Sequence, residues 1–165
     1  TRTLRGLGTG LGRRAAATHH GHPMTSKSDP GTTELIICTT CRPAENPREQ
    51  RAAGDILLEA VQAAQAFGEQ PEWAVIHVRG VACTAGCSRA CTVAFQAPGK
   101  HSFQFGDLIP SEDAARQLLD CAVMHSRAPD GNLPRDARPA LLRSGILCRL
   151  PPTRSPAESN HDTSR

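Results

Sequence analysis

The sequence predicts an α/β domain of β-α-β-β-β-α order over residues 34–150, with disordered tails at 1–33 and 151–165. Three observations lead there. Short β-branched runs alternate with two helical apolar stripes, as a layered α/β fold requires. Two tight cysteine groups each follow one of those runs. Both ends of the chain lack apolar periodicity, so they bury too little surface to offset their ordering entropy.

In the first 33 residues, Gly6, Gly8, Gly10 and Gly12 alternate but precede no strand–helix unit, so they form no nucleotide fingerprint. Met24 stands just before the polar Thr25-Ser26-Lys27-Ser28-Asp29, which reads as the true start of a mis-called extension; an acid-free transit peptide is the alternative. His19, His20 and His22 form a short tract of the kind that picks up stray metal ions. Glu34–Cys38 is a strand ending at the first cysteine. Pro43 and Pro47 bracket a turn, and a helix follows from about Pro47 to Phe67 on the stripe Ile56, Leu57, Ala60, Val61, Ala64 and Phe67. Gly54 weakens it early, and Gly68 with Pro71 ends it.

Trp73–Val78 is the second strand; Thr92–Gln96 and His101–Phe105 form a hairpin around Pro98-Gly99-Lys100. Ser111-Glu112-Asp113 opens the second helix, which runs to about Ser126 and buries Ala114, Ala115, Leu118, Leu119, Ala122 and Val123. Beyond Arg127 only the amphipathic piece Arg138–Leu147 is expected to pack back. This order is too short for a Rossmann domain and matches a thioredoxin-like layer. Parallel strands of a β-α-β unit end on one edge, so topology alone brings both cysteine groups together.

Composition narrows the function. With no Tyr, one Trp and four Phe, the core must be mainly aliphatic, and a bound metal would add to its folding free energy. Residues 1–28 carry five basic and no acidic side chains, whereas residues 34–127 carry 8 basic and 11 acidic ones. That acidic middle disfavours a nucleic-acid groove and suits either docking to a basic redox partner or an ordinary solvated surface. No secretory apolar region and no membrane-length apolar run are present, so a reducing, cytoplasmic setting is expected for the seven cysteines.

The first cysteine group is Cys38-Thr39-Thr40-Cys41 and the second is Cys83-Thr84-Ala85-Gly86-Cys87-Ser88-Arg89-Ala90-Cys91. C-x2-C turns two sulfurs onto one metal, and C-x3-C does so if its intervening residues curl, with Gly86 expected to supply a positive φ. Thr39, Thr40, Thr84 and Ser88 are placed either to donate hydrogen bonds to sulfur or to serve as plain turn residues. Four thiolates suit a 2Fe–2S cluster, with two on each iron, and equally a closed zinc site. Cys38 and Cys41 alone, between strand and helix, also fit a redox dithiol, although Pro43 and Pro47 delay the helix and weaken its dipole there.

The remaining candidates are blander. Cys121 is expected to be a buried hydrophobe, Cys148 to be incidental, and His77 and His101 to be ordinary histidines. Arg89 either offsets thiolate charge or is solvated. No P-loop, H-E-x-x-H, G-x-S-x-G or carboxylate pair is present, so any chemistry belongs to the cysteines rather than to an acid–base enzyme.

Ile37-Cys38-Thr39-Thr40-Cys41-Arg42, the cysteine triplet, Phe105-Gly106-Asp107-Leu108 and Arg138-Pro139 together resemble an uncharacterised bacterial family of cysteine-rich predicted metal-binding proteins, often met beside cobalamin-biosynthesis genes. More distantly, the layout is similar to thioredoxin-like 2Fe–2S ferredoxins, with Cys38 and Cys41 matching their first pair and Cys83 and Cys87 their C-x3-C. The two-residue spacing of the first pair and the extra Cys91 depart from that pattern.

The resemblance implies one-electron carriage by a 2Fe–2S cluster on Cys38, Cys41, Cys83 and Cys87, with Cys91 in reserve. The alternatives are a zinc- or cobalt-binding structural or metal-handling protein, with a link to cobalamin metabolism, and a thiol–disulfide oxidoreductase. A redox partner protein is implied, a homodimer is left open, and nucleic acid and membrane are not expected.

Overall fold

A computed structural model describes residues 32–153; the expected tails and the histidine tract lie outside the described residues, apart from the short stubs next to the domain. A five-stranded sheet is formed by β1 (Glu34–Cys38), β2 (His77–Val81), β3 (Val93–Gln96), β4 (Ser102–Phe105) and β5 (Ile146–Leu150), in the order β2-β1-β3-β4-β5. β1 and β2 are parallel, and the other neighbours are antiparallel. With α1 (Ala53–Phe67) and α2 (Glu112–Arg127), the first four strands make a thioredoxin-like β-α-β-β-β-α unit. α1 and α2 pack against each other and against β1.

Apolar side chains from every layer meet at the centre. Leu35 and Ile37 of β1, Leu57 and Val61 of α1, and Leu118, Leu119 and Ala122 of α2 are all fully buried. The core is less purely aliphatic than composition implies, because three of the four Phe lie within it. Phe95 meets Phe105 edge-on at 5.8 Å between centroids, and Phe103 stacks on Phe105 at 6.2 Å. α2 is capped as its sequence predicts: the Ser111 hydroxyl accepts from the Ala114 amide at 3.0 Å, with Glu112 and Asp113 in the first turn.

Three elements differ from the sequence reading. α1 begins at Ala53 rather than near Pro47. The Arg42 guanidinium holds the intervening loop open, donating to Asn46 Oδ1 and to the carbonyls of Pro47 and Gln50 at 2.6–2.9 Å. β2 begins at His77 because Pro71 starts a 3-10 turn, Pro71–Val75. The Gln65 amide holds that turn by donating to the Trp73 and Ile76 carbonyls, both at 2.7 Å. The expected amphipathic piece continues into an added edge strand, β5, which pairs with β4 through Gln104 and Cys148.

Arg138, of the Arg-Pro pair, anchors this extension. It is 7% exposed, donates to the Leu133 and Leu142 carbonyls at 2.8 and 3.2 Å, and lies over the rings of Phe103 and Phe105.

Candidate metal centre

Parallel pairing puts Cys38, the last residue of β1, beside Val81, the last residue of β2. The chain leaving β2 then crosses in front of the cysteine pair. The Thr39 hydroxyl donates to the Val81 carbonyl at 3.0 Å, and the Thr40 hydroxyl donates to that of Ala82. Gly86 is pressed onto Thr92, since a Cβ there would come within 2.5 Å of the Thr92 methyl. The positive φ falls on Ala85, at 59°, whereas Gly86 has φ −102°. The expected role of Gly86 is thus corrected: close packing, not backbone handedness, requires it.

The far side of this loop is clamped by the Phe105-Gly106-Asp107-Leu108 segment. Arg89 forms a two-pronged ion pair with Asp107, so its charge is matched by a carboxylate and not directed at sulfur. The Asp107 amide donates to the Arg89 carbonyl at 2.7 Å, and Leu108 and Cys91 exchange backbone hydrogen bonds at 3.1 and 3.3 Å. This segment therefore fixes Cys91 and the chain leading to it.

Three thiols are sequestered at this edge: Cys38 is 1% exposed, Cys41 3% and Cys91 0%. Burial raises the Cys38 pKa, but hydrogen bonds from Cys41, the Thr84 amide and Thr40 outweigh it, and the thiol is lowered to about 7. Cys41 moves the other way, raised by burial and by its neighbour Cys38 against the opposing hydroxyl of Thr92. Burial, then the charges of Cys41 and Cys38, pushes Cys91 up to about 12. Opposite shifts in neighbouring thiols are what mutual repulsion in a shared pocket produces.

The first turn of α1 also reaches this pocket. The Gly54 amide donates to the Cys41 carbonyl at 3.1 Å, and a Cβ on Gly54 would lie 1.8 Å from the Cys38 carbonyl oxygen and 3.1 Å from the Cys41 Cβ. The late helix start therefore does not remove the helix N-terminus from the cysteines. The loop of residues 42–52 folds back and sets the positive end of α1 against them.

Cys83 and Cys87 are exposed on the crossing loop, and Cys83 Sγ accepts from the Ala85 amide at 3.3 Å. Among the described residues, no three His, Cys, Asp or Glu side chains already converge as a metal-binding group. The residues nevertheless suit a thiophilic metal in donor type. Cys83 lies between Ala82, whose carbonyl is 3.8 Å from Cys38 Sγ, and Thr84, whose amide faces that sulfur.

Of the hydroxyls expected to serve sulfur, Thr39 gives its proton to a carbonyl, Thr40 lies 3.8 Å from Cys38 Sγ as well as against the Ala82 carbonyl, and Thr84 bonds the hydroxyl of Thr92 at 2.5 Å. Thr92, which sequence reasoning passed over, is the residue that reaches Cys41 Sγ, at 3.3 Å. Its signal was a repeated Cys-Thr step, present at Cys38-Thr39, Cys83-Thr84 and Cys91-Thr92. Outside the pocket, Cys121 is fully buried and its thiol is raised to about 12 by burial, while Cys148 lies half-buried on β5. His77 opens β2 beside Glu34, and the His101 ring bonds the Asp130 carbonyl, so neither joins the cysteines.

Comparison with known proteins agrees with the resemblance seen in the sequence. Residues 35–152 match the family described as protein of unknown function DUF1636, and the chain belongs to that family. A search of the curated proteins finds no match. Among solved structures, a thioredoxin-like 2Fe–2S ferredoxin from Aquifex aeolicus is similar at 13% identity and a TM-score of 0.43, over 74% of this chain and 97% of that one.

Proposed function

We propose that this protein carries a thiolate-bound metal centre at the C-terminal edge of β1 and β2, and that the centre is a 2Fe–2S cluster serving electron transfer. The observation that supports this best is the layered arrangement of sulfur. Cys38 and Cys41 are buried and fixed, and the loop that covers them brings Cys83 and Cys87 on an exposed face. Cys91 stands behind as a further ligand. When bound, such a cluster takes up and releases one electron at a potential set by its surroundings. The chain's own part is to hold the sulfurs, direct the Thr84 amide and Thr92 hydroxyl at them, and shield one side from water.

The second reading is a redox dithiol at Cys38 and Cys41. The asymmetry of the pair favours it, since a thiol near 7 beside a raised neighbour is the arrangement of a nucleophile and its resolving partner.

Anaerobic purification of the full chain, followed by iron, sulfide and zinc analysis and a visible spectrum, separates these readings. Equal iron and sulfide with a charge-transfer band, lost in Cys38→Ser and Cys87→Ser but kept in Cys121→Ser, supports the cluster. Zinc without colour replaces electron transfer with a structural or metal-handling role. A metal-free protein that reduces a disulfide substrate through Cys38 leaves the dithiol reading standing alone.

A further inference from the structure

Thr92 is fully buried, and its hydroxyl sits between two partners: Cys41 Sγ at 3.3 Å and Thr84 Oγ1 at 2.5 Å. Thr84 is fixed in turn, because the Gln104 side-chain amide of β4 donates to its carbonyl at 2.9 Å. The methyl face of Thr92 is held by the close approach of Gly86. A chain of contacts thus runs from β4 to a sulfur: the Gln104 side chain to the Thr84 carbonyl, and the Thr84 hydroxyl through Thr92 to Cys41.

We propose that Thr92 is the positioning residue for the Cys41 sulfur, held by the Thr84 hydroxyl, with Gln104 fixing the main chain at Thr84. Each hydroxyl has one proton, and Thr92 Oγ1 reaches both neighbours, so it can donate to the Cys41 sulfur while accepting from Thr84, the arrangement a metal-bound thiolate requires.

The inference deepens the metal-centre reading and names the residue that prepares one ligand sulfur. It also applies to Cys41 in the metal-free chain, which makes the two separable. Among Thr39, Thr40, Thr84 and Ser88, expected either to serve sulfur or to be plain turn residues, Thr39 donates to the Val81 carbonyl and Thr40 lies against Cys38 rather than Cys41.

The test uses three full-length proteins: wild type, Thr92→Val, which keeps the shape and removes the hydroxyl, and Thr92→Ser, which restores it. In the metal-free proteins, the infrared S–H stretch of Cys41 is assigned by difference against Cys41→Ser. The band lies at the hydrogen-bonded position in wild type and Thr92→Ser and shifts to the free position in Thr92→Val. Cobalt(II) titration, followed by the sulfur-to-metal charge-transfer band, then shows affinity about 10–100-fold weaker in Thr92→Val and near wild type in Thr92→Ser.

An unshifted Cys41 band in Thr92→Val overturns the proposal, as does cobalt binding by both Thr92→Val and wild type with equal affinity. A shifted band in a protein that binds no cobalt removes the metal reading while upholding Thr92 as the partner of Cys41. Gln104→Leu guards against a fold-wide effect of the Val substitution: it weakens cobalt binding less than Thr92→Val does, and a complete loss there would also overturn the chain.

Discussion

Cys38 and Cys41 are three positions apart, yet their surroundings push them in opposite directions. Cys38 faces an amide and the neighbouring thiol and is lowered to about 7, whereas burial dominates at Cys41 and raises it. Cys91 and Cys121 lie deeper, and burial pushes both to about 12. Alkylation of the native metal-free protein at pH 8, mapped by mass spectrometry, should therefore label Cys83 and Cys87 and leave Cys91 and Cys121 unmodified until denaturant is added. Early labelling of Cys91 would contradict its place inside the sheet.

His125 is the other residue whose state is set by burial. Its ring bonds the Thr33 hydroxyl at 2.9 Å and the His101 carbonyl at 2.7 Å, and burial lowers its pKa. The folded state therefore resists taking up the proton that the unfolded chain accepts below about 6.5. Stability from this residue is complete above that pH and declines as pH falls from there towards the depressed folded value. Urea midpoints measured between pH 7.5 and pH 5 should fall on the acid side; a constant midpoint would show that His125 is not held neutral.

Among the elements, α1 and the loops around it depend on one close approach. Gly54 lets the first turn of α1 lie against the Cys38 carbonyl, and no side chain fits there. Gly54→Ala improves intrinsic helix propensity, yet overpacking should destabilise the fold by about 1–3 kcal/mol and disturb the cysteine pair. Thermal melts combined with metal content check both effects; a variant more stable than wild type with unchanged metal content would refute the contact.

This glycine also shows where sequence reasoning stops. Hydrophobic period revealed both helices, β1 and the hairpin, because Leu35-Ile36-Ile37 and the α2 stripe satisfy simple local rules. The start of α1 is set by Arg42 bonding carbonyls five and eight residues ahead, and the start of β2 by Gln65 reaching across from α1. β5 was hidden because Ile146–Leu150 is a short, partly exposed edge without strict alternation. At the site, cysteine spacing located the sulfurs. Whether each is buried or exposed depends on contacts with Thr92 and Asp107 that spacing does not encode.

For the whole molecule, the segment after α2 belongs to the folding unit. Arg138 and β5 cover the Phe103–Phe105 side of the sheet, and among the described residues Arg138 has carbonyls rather than a carboxylate as partners. Arg138→Ala leaves the Leu133 and Leu142 carbonyls without their donor, at a cost of about 1–3 kcal/mol for each unmet group. Chemical denaturation should show that loss, and a variant of wild-type stability would assign this extension a role unrelated to the core.

A metal held by the cysteine sulfurs is the central proposal, and X-ray absorption at the metal edge tests it most directly. The spectrum is recorded on the full chain purified without oxygen. The account predicts a bound thiophilic metal with a first shell of about four sulfurs near 2.3 Å. A shell of nitrogen and oxygen, or protein that carries no metal at all, would contradict it.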